Sequence, residues 1–160
     1  MSAGPTSRTL EYCRRRGWHA DVVEKWIPKT RRRSDMFGGI DLVVMDGQQG
    51  LLGIQATSGS NVAARAHKLS ALDTMAEWLA KGLRLEVWGW RRLAAYRKDG
   101  TRAKRDRWAV RIMRASLDDA GEIQWALVPG GDMSQAGEGR CVRKGGRPGA
   151  SPVGGAEEGA

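Results

Sequence analysis

Asp41 and Gln55 are the residues whose types and spacing best suit chemistry on a phosphate. Asp41 stands near the start of the apolar run Ile40-Asp41-Leu42-Val43-Val44-Met45, and Gln55 near the end of Leu51-Leu52-Gly53-Ile54-Gln55-Ala56. Two such runs on either side of Asp46–Gly50 read as a β-hairpin, which sets Asp41 near the level of Gln55 and lets both face one cleft. Carboxylate and amide oxygens are hard donors that suit Mg²⁺ or Mn²⁺, cations that activate water and neutralise charge building on phosphoryl oxygens. Glu11, on the first predicted helix, offers a third oxygen. A bare carboxylate in an apolar strand costs free energy if buried without a partner. The plainer alternative for Asp41 is an edge residue hydrogen-bonded to the Gly38-Gly39 loop.

The charge is placed where such chemistry would use it. The chain has 160 residues, a formal charge of +9 and a pI near 10.2, which imply affinity for polyanions. Three clusters carry most of it: Arg14, Arg15 and Arg16; Lys29, Arg31, Arg32 and Arg33; and the stretch 91–107, with eight Lys/Arg against two Asp. Arg91 and Arg92 open the last of these. Phosphate contacts through such clusters would weaken as salt rises, while the bland reading is a solvated basic surface. Cys13 and Cys141 are far apart and form no metal or disulfide pattern. No run of about 18 apolar residues is present and the N-terminus lacks an apolar signal core, so no membrane partner and a cytoplasmic location are expected.

The elements that must position these residues follow from period and punctuation. A short helix over Thr9–Arg16 starts after Pro5, Thr6 and Ser7 and meets Gly17. Partial alternation over Trp18–Ile27 predicts a strand closed by Pro28. The hairpin at 40–56 follows, and then Ser58, Ser60 and Asn61 lead into a helix with Val62, Ala66, Leu69, Leu72, Ala76 and Leu79 at spacings of three and four. A helix N-terminus of this kind binds anions as readily as it caps itself. Leu83, Leu85 and Val87 alternate with Arg84, Glu86 and Trp88 in a further strand; Trp88 and Trp90 are expected to pack. Strands at Trp108–Met113 and Ile123–Val128 form a C-terminal hairpin around 118–121. The division is a flexible N-terminus at 1–6, a single domain at 7–128 (core 7–90, basic linker 91–107, hairpin 108–128), and a disordered Gly/Pro/Ala/Ser-rich tail at 129–160.

The resulting α/β order is αβββαβ, with an acid on the first helix, an Asp early in the second strand and a polar pair ending the third. It resembles the PD-(D/E)XK nuclease superfamily, most of all its small Holliday-junction-resolvase-like and phage-encoded branch, across residues 7–90. The resemblance implies a restriction-endonuclease-like mixed sheet flanked by helices. It also implies Mg²⁺ or Mn²⁺ held by Asp41, Gln55 and Glu11, and hydrolysis of DNA phosphodiesters, on branched DNA in the resolvase branch and by a homodimer. Gln55 takes the second acidic position of the motif and Thr57 that of the catalytic Lys, so the chain reads Gln-Ala-Thr in place of (Asp/Glu)-x-Lys. Relatives move that Lys to a neighbouring element, which makes Lys68 its replacement, ahead of Lys29 or Arg33. A neutral Gln and Thr bring neither negative charge for a metal nor positive charge for a transition state. The alternative is therefore a nuclease-fold protein that binds nucleic acid without cutting it.

Overall fold

The computed structural model describes residues 3–129 and the backbone of 133–134. Helix α1 (Pro5–Arg15) begins at a proline, which needs no N–H in the first turn, and ends where Gly17 takes φ +73° and Trp18 N–H bonds back to the Cys13 carbonyl. Strand β1 (His19–Val22) follows. The expected strand at 18–27 ends there. Lys25–Ile27 (β2) turns instead onto Arg32–Ser34 (β3), and the two make a separate antiparallel ribbon. Nothing in local alternation distinguishes one long strand from a strand plus half a ribbon.

Next come β4 (Leu42–Met45), β5 (Leu52–Ser58) and, after a 3-10 turn at Gly59–Asn61, helices α2 (Val62–Ser70) and α3 (Asp73–Ala80). The single helix expected from the stripe at 62–79 is broken at Leu72, whose backbone is extended (φ −102°, ψ 114°). The break changes which side chains go in: Val62, Ala66 and Leu69 are buried on α2, but Met75 and Trp78 on α3. Strands β6 (Arg84–Leu93), β7 (Arg107–Leu117) and β8 (Ile123–Leu127) complete the path, and Met133–Ser134 (β9) pairs with β7. The stretch at 91–107 is no linker. It is the far end of β6, a loop with a Tyr96–Arg102 bridge, and the start of β7. The tail residues 130–132 and 135–160 lie outside the described residues.

The result is an α/β fold around a mixed sheet of order β1-β4-β5-β6-β7-β8, in which β5 and β6 are parallel and the other neighbours antiparallel. Alternation along the strands builds two cores. Leu42, Val44, Leu52, Ile54, Trp88 and Trp90 pack with Tyr12 and Cys13 of α1 on one face. Val43, Leu85 and Val87 pack with α2 and α3 on the other. Both tryptophans of β6 are buried, as expected, and Trp90 Nε1–H donates to Thr9 Oγ1 on α1 at 2.8 Å. Among the described residues no helix is long and apolar enough to cross a membrane.

At one end of the sheet Arg84 forks onto both carboxylate oxygens of Asp46 (2.6 and 2.8 Å) and reaches Gln48, tying the β4–β5 turn to the start of β6. The hydrogen bonds from Arg84 hold the Asp46 carboxyl below its usual range. Such a lowered acid contributes stability above its ordinary pKa and loses it as pH falls through the lowered one. Arg84→Ala is expected to cost about 2 kcal/mol at neutral pH, with the difference shrinking in acid. Urea melts at two pH values check this.

Candidate metal centre

Asp41 precedes β4 at the end of the sheet opposite Arg84. Its N–H bonds the Ile54 carbonyl at 2.9 Å, which fixes the backbone, and its carboxylate Oδ2 accepts from Ala56 N–H at 2.8 Å and from Gln55 Nε2 at 2.6 Å. The hairpin expected from the sequence therefore forms, with Leu42 opposite Ile54, and Asp41 and Gln55 do meet. Both are almost fully buried, as is Thr57, at 3–5% exposure. Gln55 spends its amide N–H on Asp41, so its carbonyl oxygen is left buried without a partner. A buried unpaired acceptor costs free energy, and it is a vacant hard-oxygen donor.

A second carboxylate completes the group. Asp35, just past β3, lies against Asp41, repelling its charge and hydrogen-bonding its protonated form. The chain gets from one to the other through a tight loop: Met36 and Ile40 exchange backbone hydrogen bonds at 2.9 and 3.0 Å around Phe37 and Gly38, both at positive φ. Burial pushes the Asp41 pKa up to about 7, Asp35 adds to the rise, and the Ala56 and Gln55 donors oppose it. Asp41 therefore keeps its proton up to near neutral pH, well above the range of an ordinary aspartate. Asp35 was missed because its only sequence signal is an Asp after a basic run; its approach depends on the ribbon.

The other expected site residues divide. Glu11 is not part of the group: it is exposed on α1, ion-paired with Arg15, and α1 covers the face of Leu42 and Ile54 rather than that of Gln55. The i, i+4 spacing to Arg15 supplied a nearer partner than any metal. Lys68 is exposed in the last turn of α2, off the buried stripe of Val62, Ala66 and Leu69, so the helix that carries it turns it outward. Thr57 follows in β5. Among the described residues no cluster of three or more His, Cys, Asp or Glu forms. The group that does form is two carboxylates and an amide.

The basic residues gather unequally around it. Lys29, Arg31, Arg32 and Arg33 are exposed on the β2–β3 ribbon that leads directly into Asp35, and Arg33 pairs with Glu24. Ser58 lies opposite Trp90 in the parallel register, so the turn holding Ser58, Ser60 and Asn61 stands beside Arg91 and Arg92 at the same sheet end. The Ser58 and Ser60 hydroxyls face each other at 3.2 Å, and Arg92 pairs with Asp106. Gly89 permits this closeness: a Cβ there would lie 2.0 Å from Val62 Cγ2 and 3.0 Å from Gly59 Cα. Arg14, Arg15 and Arg16 are the exception. They end α1 next to the start of β1, whose His19 pairs with Met45, and so belong to the far end of the sheet. In sheets with parallel strands the carboxyl ends are where ligands collect, and here β5 and β6 end among these groups. Compared with known protein families, curated proteins and solved structures, the chain matches none.

Proposed function

We propose that the protein is a divalent-metal-dependent nuclease that hydrolyses DNA phosphodiesters, with Asp35, Asp41 and Gln55 as the residues that hold Mg²⁺ or Mn²⁺. The observation that carries it is the buried Asp41 with the half-buried Asp35 against it, beside the unpartnered Gln55 carbonyl oxygen. Asp35 supplies the negative charge that Gln55 lacks and that Glu11, on the other face, does not bring. With the β2–β3 ribbon set aside as an insertion, the main-sheet order of one helix, three antiparallel strands, a helical crossover and a parallel strand supports the resemblance to the PD-(D/E)XK superfamily.

A bound divalent ion supplies Lewis acidity for an attacking water and for the phosphoryl oxygens. The chain's own residues do the rest. Ala56 N–H and Gln55 Nε2 aim Asp41 Oδ2, and the Asp41 proton, held by burial and by the neighbouring Asp35, must leave before Asp41 is charged. Lys29, Arg31, Arg32, Arg33, Arg91 and Arg92 grip backbone phosphates, with the Ser58–Asn61 turn offering N–H groups. Branched DNA in the cytoplasm is the substrate this reading favours.

The test is incubation of branched and linear DNA with Mg²⁺ or Mn²⁺, beside melting curves with and without the ions. Wild type is expected to cut and to gain stability with metal by mass action, and Asp35→Ala to lose both. Cutting that survives Asp35→Ala at full rate removes Asp35 from the centre; no cutting and no metal shift in wild type ends the nuclease reading. Thr57 in the motif's Lys position and the outward Lys68 favour a second reading, a fold that binds nucleic acid without cleaving it. Salt-sensitive DNA binding indifferent to metal is its mark.

A further inference from the structure

Two strands without a third are marginal by themselves, and a two-stranded ribbon has little apolar surface to shelter a large side chain. The β2–β3 ribbon nonetheless carries Trp26, 58% exposed, beside Ile27 at 40%. Trp26 faces Arg33 directly across the ribbon, and cross-strand partners share a face. Residues 25–34 hold five Lys/Arg (Lys25, Lys29, Arg31, Arg32, Arg33) and no acid. An uncovered indole in a field of positive charge is a poor core residue and a poor seat for a basic or neutral protein surface. It suits a polyanion that also presents flat faces.

We infer that the β2–β3 ribbon binds unpaired nucleotides, with Trp26 stacking on a base and Lys25, Lys29, Arg31 and Arg32 holding the adjoining phosphates, while Arg33 is engaged by Glu24. A paired duplex keeps its base faces inside the stack, so the indole discriminates for single-stranded segments such as those at branches and ends. The ribbon runs into Asp35 one residue after β3, so a strand held there is delivered to the metal centre. That consequence rests on the proposed nuclease reading; the binding itself does not.

The experiment is therefore done without metal. The full chain is titrated in EDTA, by fluorescence anisotropy, into a labelled oligothymidylate of about 16 nucleotides and into a duplex of equal length. Trp26→Ala is expected to weaken single-strand binding about tenfold while duplex affinity and the salt slope stay as in wild type. Trp26→Phe, which keeps an aromatic face, restores most of the loss. An unchanged single-strand affinity, an equal loss on both DNAs, or no single-strand binding by wild type overturns the inference. Trp26-dependent binding in a protein that never cuts with Mg²⁺ or Mn²⁺ sinks the nuclease reading alone, and cutting that ignores Trp26 sinks only the delivery of the bound strand to Asp35.

Discussion

An Asp41→Asn variant is expected to be more stable than wild type in metal-free buffer at pH 8 and, on the proposed nuclease reading, to lose cleavage by a factor on the order of 10³. The two effects have one cause. Asp41 is buried against Asp35, which raises its proton affinity to a pKa of about 7 from the ordinary 3.8. A raised folded pKa means that the native state holds a proton the unfolded chain has released. The associated stability is present below the ordinary pKa and is lost as pH climbs through about 7. Asparagine imitates the protonated acid: its oxygen accepts from Ala56 N–H and Gln55 Nε2, and its amide donates to Asp35. It should therefore gain about 2 kcal/mol over wild type at pH 8 and almost nothing near pH 4. The same substitution removes the charge a divalent ion needs, so the metal-induced rise in melting temperature should vanish. Denaturant melts across this pH range, with and without Mn²⁺, decide it. A metal shift that survives in the variant, or a wild type no less stable at pH 8 than at pH 5, defeats the assignment of Asp41.

Gly89→Ala should cost about 3 kcal/mol, a large effect for one methyl group, because the contact it creates cannot be relieved by a rotamer change alone. The added Cβ would lie 2.0 Å from Val62 Cγ2, which can turn, but also 3.0 Å from Gly59 Cα and 3.3 Å from the Ser58 carbonyl, which are main chain. The turn that starts α2 has to move away from β6. Ser58, Ser60 and Asn61 move with it, away from Arg91 and Arg92, so DNA affinity should fall in a variant that still folds. Thermal unfolding and DNA titration on one sample measure both. Wild-type stability would overturn the close approach of this turn to β6.

The parts of the site that depend on neighbours in sequence could be read directly. The apolar runs on either side of Asp46–Gly50 have the period of strands and the residues of a turn, and both signals act over a few residues. The meeting of Asp41 and Gln55 follows from them. The tight stop of α1 at Gly17, the start of α2 after Asn61 and the inward packing of Trp88 and Trp90 are legible for the same reason. What depends on distant surfaces was not. The stripe at 62–79 has one helical period, but burying Met75 and Trp78 against the sheet required a break at Leu72. Glu11 has the right chemistry on the first helix, yet that helix covers the face lined by Leu42 and Ile54, and only the packed sheet assigns a helix to a face. Trp26 alternates like its neighbours, and only the ribbon's separation from the main sheet leaves it exposed.

The group around Asp41 shows the same division most clearly. An acid and an amide side by side on a hairpin follow from the amino-acid order, because register is a local consequence of turn length and alternation. The approach of Asp35 as the second carboxylate, and the titration of Asp41 near neutrality, follow from packing between distant segments. The first needs the ribbon and the Met36–Ile40 loop to fold back on β4, and the second needs α2, α3 and the sheet to exclude water from the carboxyl.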